Sequence, residues 1–155
     1  MREKFGFERL PDFDPGIWNK IKKSGMKKIK TLRPGFISGS DIDAEVVKTA
    51  QQNCTVPDKQ EIISIKQADI FKIRKLENTT IVCNPPYGLR LNKNTDLSGF
   101  YKQVGDFLKQ RCNGSTAYIY FGDRKYLKHI GLRSSWKKPL TNGGLDGRLA
   151  KFEMY

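Results

Sequence analysis

The sequence predicts an α/β fold: a mostly parallel sheet that ends in an antiparallel hairpin. From Gly35 onward, short apolar runs alternate with helical patterns, which is typical of parallel strands joined by helices. The last two strand-like runs flank a glycine-rich turn at residues 142–144, which indicates a hairpin. At 155 residues the chain is long enough for one domain. We expect that single domain to span residues 1–155.

The individual elements follow from the apolar pattern. Residues 36–41 form a predicted strand that ends in Asp41, and Asp43 is a predicted N-cap for a helix over residues 44–53. On that helix Val46, Val47 and Ala50 are expected to share a face. The remaining predicted elements are strands at 62–69, 79–84 and 115–122, a helix at 100–112 with Phe100, Val104, Phe107 and Leu108 on one side, and hairpin strands at 138–140 and 149–154.

The N-terminal segment, residues 1–35, is charged and weakly patterned. Pro15 is expected to open a short helix. Residues 20–33 then carry seven basic side chains, with Gly25 as a predicted breaker. Two interpretations of this stretch stay open: a solvated surface, or an arm that contacts the phosphates of a nucleic acid. The candidate nucleic-acid contacts are Lys22, Lys23, Lys27 and Lys28.

The charge balance points to a polyanionic partner. The chain has 29 Lys and Arg residues against 16 Asp and Glu residues, a formal net charge of +13. A positive field of this size favours nucleic acid, the commonest polyanion inside a cell. Ribosome-type or membrane-surface binding would give the same charge, so the charge alone leaves these classes open.

The cysteines predict neither a metal site nor disulfides. Cys54, Cys83 and Cys112 are far apart, no C-x-x-C pair exists, and His129 is the only histidine. Free thiols in strand-like or helical stretches indicate a reducing, cytoplasmic compartment. No apolar run is long enough to span a membrane, and the N-terminus lacks a signal-peptide core. We therefore expect a soluble protein without a membrane partner.

The motif that carries chemistry is Asn84-Pro85-Pro86-Tyr87-Gly88, which directly follows a predicted buried strand. The Asn side-chain oxygen and a neighbouring backbone carbonyl can both accept hydrogen bonds from one NH2 group. The aromatic ring can stack on a flipped base, and the two prolines stiffen the turn. Asn84, Pro85, Pro86 and Tyr87 are therefore the candidate catalytic residues, suited to chemistry on the exocyclic amine of a planar base.

Three successive predicted strands end in a polar residue: Asp41, Asp69 and Asn84. Each Asp alone is typical of a helix cap or a turn. In open α/β sheets, however, ligands bind at the carboxyl ends of the strands. An Asp after the second strand of a nucleotide-binding sheet can instead bind the ribose hydroxyls of a nucleoside cofactor, and an Asp after the next strand can accept a hydrogen bond from an adenine amino group. For Asp41 and Asp69 both interpretations stay open at this point.

The motif resembles that of amino-methyltransferases that use S-adenosyl-L-methionine and modify adenine N6 or guanine N2. Nearly the whole chain is similar to a narrower group, the bacterial 23S rRNA guanine-N2 methyltransferases, which are often labelled N6-adenine-specific DNA methylases. The resemblance rests on residues 2–8, 39–43, 68–69, 84–88 and 142–148. It implies a Rossmann-like methyltransferase fold, with Asp41, Asp69 and Asn84 at the cofactor and residues 84–87 at the target base.

That family begins its catalytic domain with a strand and a glycine loop, and no such loop lies upstream of Phe36. We therefore expect a partial domain without the central first strand, which leaves two unpaired sheet edges. Either the flanking strands pair directly, or another chain fills the gap, so self-association through these edges is a further expectation. We also expect the chain alone to bind the cofactor poorly and to be inactive.

Two alternative functions stay open. A DNA adenine-N6 methyltransferase would use the same motif for the same chemistry. A non-catalytic RNA-binding remnant would fit the net charge of +13 and the missing glycine loop.

Overall fold

The computed structural model describes residues 4–54, 62–86 and 96–155. The chain divides into two compact units, one formed by Met1–Gly39 with Ala50–Ile65, the other by Ser40–Thr49 with Lys66–Tyr155. The expectation of a single domain stays a prediction. The helices are α1 (Pro15–Lys27), α2 (Ala44–Asn53) and α3 (Leu97–Arg111); the strands are β1 (Ile37–Asp41), β2 (Ile63–Gln67), β3 (Thr80–Cys83), β4 (Thr116–Phe121), β5 (Trp136–Asn142) and β6 (Leu145–Glu153); short 3-10 segments occupy Gly6–Arg9, Ile70–Lys72 and Arg124–Ile130.

Helix α1 begins as the sequence predicts. The Asp14 carboxylate accepts hydrogen bonds from the backbone N–H groups of Gly16 and Ile17, at 2.6 and 3.1 Å, and Pro15 occupies the first turn. The Trp18 ring meets the rings of Phe5 and Phe7 edge-on, with centroids 5.6 and 5.0 Å apart. This aromatic cluster holds the start of α1 in the first unit.

The prediction that Gly25 breaks the helix is wrong. Helix α1 continues through Gly25 to Lys27, and the Lys28 N–H bonds to the Gly25 carbonyl at 3.0 Å. A glycine inside a helix costs about 1 kcal/mol relative to alanine, which lowers helix stability without blocking any backbone hydrogen bond. A single unfavourable residue is therefore insufficient to end a helix that is well capped at its start.

Strands β1 and β2 form a two-stranded sheet. The Ile37 N–H bonds to the Ile62 carbonyl at the start of β1, and the Ala68 N–H bonds to the Asp41 carbonyl at its end, so the two strands run in the same direction. Helix α2 matches its prediction residue for residue, and the Asp43 carboxylate caps it by accepting the Glu45 N–H at 2.8 Å.

The predicted inner face of α2 is only partly correct. Val47 is buried and Ala50 is half-buried, whereas Val46 is 48% exposed. Val46 and Val47 are successive residues and therefore point about 100° apart on a helix, so both cannot face the same neighbour equally.

Strands β3 to β6 form a four-stranded sheet in the order β3-β4-β6-β5. Strand β3 pairs with β4 in parallel, and β6 pairs antiparallel with both β4 and β5. This arrangement confirms the α/β fold with an antiparallel terminal hairpin. Within the described ranges β1 pairs only with β2 and β3 only with β4, so of the two alternatives for the flanking strands, direct pairing of β1 with β3 is not found there.

The terminal hairpin turns on two glycines. Asn142 pairs with Leu145, and the residues between them, Gly143 and Gly144, have φ angles of 55° and 84°. Two successive left-handed residues form the tight turn whose twist matches antiparallel strands, and glycine adopts that conformation without a steric penalty.

The core of the second unit lies between the four-stranded sheet and α3 with the 3-10 segment Arg124–Ile130. Helix α3 begins at Leu97, three residues before its predicted start. Its predicted apolar side is confirmed, because Val104, Phe107 and Leu108 are buried in this core and the half-buried Phe100 packs against it. In the described part of the chain, no helix is long and apolar enough to cross a membrane. The buried core residues are Tyr101, Val104, Phe107, Leu108, Cys112, Ala117, Ile119, Phe121, Ile130, Ala150, Phe152 and Met154.

Candidate active site

The Asn84-Pro85-Pro86 turn lies at the carboxyl end of β3. The parallel register pairs Cys83 with Ile119, so the turn lies at the end of the sheet where the carboxyl ends of both β3 and β4 are found. Asn84 and Pro86 are exposed, and Pro85 between them is buried. The turn is thus fixed in the protein at its centre while Asn84 faces solvent. Tyr87 lies outside the described residues, so its stacking role stays a prediction.

A tyrosine from α3 holds the turn from inside the protein. The Tyr101 hydroxyl donates a hydrogen bond to the Pro86 carbonyl at 3.3 Å. The Tyr101 ring stacks against Phe121 of β4, with centroids 5.1 Å apart, and against Tyr126, with centroids 5.3 Å apart. Tyr101 could not be predicted as a site residue, because no local sequence pattern indicates a bond between residues fifteen positions apart.

The residue before the turn is a neutral thiol. Burial raises the pKa of Cys83 above its ordinary value of 9.0. Cys83 therefore keeps its proton at neutral pH and contributes no charge beside Asn84. This environment suits an amide acceptor and gives no sign of a cysteine nucleophile.

Asp41 is half-buried at the end of β1. Its backbone carbonyl accepts the Ala68 N–H at 2.9 Å, which brings the ends of β1 and β2 together. Its carboxylate Oδ1 accepts the Asp43 N–H at 2.9 Å, which fixes the side chain over the turn that leads into α2. The bond to Ala68 places Asp41 beside the residue that precedes Asp69.

Asp69 is also half-buried, and it caps the 3-10 segment Ile70–Lys72. Its Oδ1 accepts the Phe71 N–H at 2.9 Å. The capping interpretation that the sequence left open is therefore correct for one carboxylate oxygen. The cofactor role of Asp69 stays a prediction that this cap does not contradict, because the second carboxylate oxygen can also accept a hydrogen bond.

Both aspartates have the acceptors that a nucleoside cofactor needs. Asp41 and Asp69 each use Oδ1 for a backbone N–H, and Oδ2 of each accepts no hydrogen bond from the described residues. Ribose hydroxyls and an adenine amine are donors, so the donor and acceptor types match the cofactor that the resemblance implies. Among the same residues, no group of three His, Cys, Asp or Glu side chains could hold a metal ion.

The predicted nucleic-acid lysines lie on or directly after α1, and all four are exposed. Lys23 and Lys27 are four residues apart and share a helix face. Lys22 points elsewhere, with its Nζ 5.4 Å from the centroid of the Trp18 ring. The structure thus brings two of the four lysines together on one face, and their contact with nucleic acid stays a prediction.

Comparison with known proteins identifies a family and two long relatives. The family described as RMKL-like, methyltransferase domain, matches residues 1–151. A Synechocystis protein provisionally named an RNA methyltransferase is 36% identical over 154 residues, which cover 97% of this chain and 40% of that protein. The ribosomal RNA large subunit methyltransferase K/L of Aliivibrio salmonicida is 36% identical over 154 residues, covering 93% of this chain and 21% of that protein. The chain thus spans well under half the length of these relatives.

A solved structure confirms the fold. The crystal structure of SMU.472, provisionally described as a methyltransferase and complexed with SAH, covers 98% of this chain and 40% of its own, with a TM-score of 0.79 and 23% identity. At this level of identity the likeness concerns the fold, and it confirms the Rossmann-like methyltransferase architecture that the sequence predicts.

Proposed function

Because this chain belongs to the RMKL-like methyltransferase domain family, we propose that its site methylates the exocyclic N2 amine of a guanine in 23S ribosomal RNA. The observation that carries the proposal is the Asn84-Pro85-Pro86 turn, which lies at the carboxyl end of β3 with Asn84 exposed and Pro85 buried. The carboxyl ends of the strands are where open α/β sheets bind their ligands.

The proposed role of the turn is to orient the amine. The guanine N2 lone pair is delocalised into the ring, so the amine is a poor nucleophile. The Asn84 side-chain oxygen and the Pro85 carbonyl accept its two N–H groups and leave the lone pair directed out of the base plane. Tyr87 stacks on the base and fixes that plane. Positioning supplies most of the catalysis, and water takes the surplus proton after transfer.

The methyl donor in this proposal is S-adenosyl-L-methionine, which supplies, when bound, a methyl group already activated by its sulfonium. Asp41 is assigned to the ribose hydroxyls and Asp69 to the adenine amine. Support comes from the second carboxylate oxygen of each, which accepts no hydrogen bond from the described residues.

The partner in this proposal is ribosomal RNA, and its site of action is the cytoplasm. The net charge of +13 supports an RNA partner. Self-association through exposed sheet edges is part of the same proposal, because β3 and β1 each pair on one side only within the described ranges. Sedimentation velocity over a range of protein concentrations tests it: a constant monomer mass would contradict it.

The test of the function is transfer of tritiated methyl groups to 23S rRNA from a strain that lacks the modification. The 155-residue chain and a version extended upstream are assayed side by side, with duplex DNA as a second substrate. We expect label in rRNA from the extended version only, because the 155-residue chain alone is expected to bind the cofactor poorly, and we expect no label in DNA from either version. Label in DNA alone would support adenine methylation, and no label from either version would support an RNA-binding remnant.

Two variants give this assay its specificity. Asn84→Ala removes an acceptor from an exposed position, so we expect transfer to be lost while the circular dichroism spectrum is unchanged. Asn113→Ala is the matched control, because Asn113 is exposed before β4, at the opposite end of that strand from the turn. Near-normal turnover by Asn84→Ala would refute the assignment of the turn.

A further inference from the structure

We propose that Tyr101 is a positioning residue for the base site, acting through the Pro86 carbonyl. The inference rests on the proposed function, since it concerns how the Asn84-Pro85-Pro86 turn is held ready for the target amine. Tyr101 touches neither the base nor the methyl donor in this proposal. It fixes the backbone from which Asn84 and the Pro85 carbonyl project.

The turn needs an external anchor because of its composition. Pro85 and Pro86 have no backbone N–H, so neither can donate the hydrogen bonds that normally close a turn. The turn must then be fixed through its carbonyls and through packing. Pro85 is buried, and the Tyr101 hydroxyl donates to the Pro86 carbonyl at 3.3 Å. That bond leaves the Pro85 carbonyl, the proposed acceptor, unused by Tyr101.

The anchor itself is rigid. Tyr101 is 0% exposed, and its ring lies between Phe121 and Tyr126 at interplanar angles of 26° and 17°. Phe121 is the last residue of β4, and β4 is the parallel neighbour of β3. The packing against Phe121 therefore fixes the Tyr101 hydroxyl near the carboxyl end of β3, where the turn begins. A donor fixed this way restricts the turn without adding motion of its own.

The test compares Tyr101→Phe, which removes one oxygen and keeps the ring, with Tyr118→Phe. Tyr118 is a half-buried tyrosine of β4 whose ring packs near Trp136. In protein carrying 13C-labelled proline carbonyls, we expect the Pro86 carbonyl resonance to move upfield in Tyr101→Phe and to stay in place in Tyr118→Phe. An unmoved Pro86 resonance in Tyr101→Phe would overturn the proposal.

Kinetics then separate positioning from simple packing. In the version that transfers methyl groups, we expect Tyr101→Phe to lower kcat by roughly 10- to 100-fold, the usual cost of a small misplacement. KM for RNA should change less than about twofold, because the base still stacks. A general loss of packing would move Tm instead, so Tm is measured for both variants.

The outcomes distinguish this inference from the function on which it rests. Transfer by wild type, none by Asn84→Ala and full kcat in Tyr101→Phe would overturn the positioning role and keep the function. Full transfer by Asn84→Ala, or none by wild type in either version, would overturn the function and the positioning role with it.

Discussion

Gly105 of α3 lies against the carbonyl oxygen of Ile130, so closely that a Cβ on Gly105 would overlap that oxygen. Ile130 ends the 3-10 segment that covers one side of α3. We expect Gly105→Ala to lower the free energy of unfolding by about 1–3 kcal/mol, because the helix must move away from its neighbour. Urea unfolding followed by fluorescence measures the change.

Gly25→Ala is the matched control for that substitution. Gly25 lies inside α1, and among the described residues outside the backbone of its own helix no atom lies within 4 Å of the position of an added Cβ. Alanine is the better helix former by about 1 kcal/mol, so this variant should gain helical signal and lose no stability. Equal destabilisation by both substitutions would contradict the close approach at Gly105.

Ser115 is a buried hydroxyl that joins two backbone segments. It is 2% exposed, its Oγ donates to the Leu76 carbonyl at 2.8 Å, and it accepts the Thr79 N–H at 3.0 Å. Ser115→Ala leaves both backbone groups without this partner, so we expect a loss of about 1–3 kcal/mol in urea unfolding. Ser98→Ala serves as control, since its 3.5 Å contact to His129 is weak.

Because of the buried thiol of Cys112, we expect the free energy of unfolding to change with pH in the alkaline range. Burial raises the pKa of its thiol from 9.0 to about 11. Between these values the folded protein keeps a proton that the unfolded chain releases, so the free energy of unfolding falls as pH rises through that window. Urea unfolding at pH 8.5 and 10.5 should show a larger fall for wild type than for Cys112→Ala. Equal falls would show that other groups cause the effect.

The basic stretch around α1 is testable by salt dependence. If Lys22, Lys23, Lys27 and Lys28 contact RNA phosphates, changing all four to Gln should reduce the slope of log affinity against log salt by about 3. The same charge change at Lys72, Lys75, Lys102 and Lys109 is the control. Equal effects from both sets would support the solvated-surface interpretation.

Elements that depend on local chemistry could be predicted from the sequence. Asp43 caps α2 through the N–H of a residue two positions on, and α2 has its predicted bounds. Gly143 and Gly144 supply the positive φ angles of the hairpin turn. Asp41 at the end of β1 and Asn84 directly after β3 could be predicted as well. In both places a strand-forming run of residues gives way to a polar residue, and that change can be read from adjacent residues alone.

Features that depend on distant partners could not be predicted. Nothing near Tyr101 in the sequence indicates that its hydroxyl meets Pro86, because that bond arises only when α3 packs beside β3 and β4. The exposure of Val46 depends in the same way on what surrounds α2. Such relationships belong to tertiary packing, whereas caps and turns belong to a few adjacent residues.

Pro139 pairs with Arg148 across the hairpin. In this register the backbone nitrogen of Pro139 points away from β6, so the pairing with β6 needs no N–H at that position. Because proline has no N–H, the outer side of β5 lacks a hydrogen-bond donor at the same position. The exposed Lys137 and Lys138 add like charge along the same strand. Strand β3, at the other end of the sheet order, carries neither proline nor lysine. Among the described residues, the β3 edge of this sheet is therefore better suited to accept a further strand than the β5 edge.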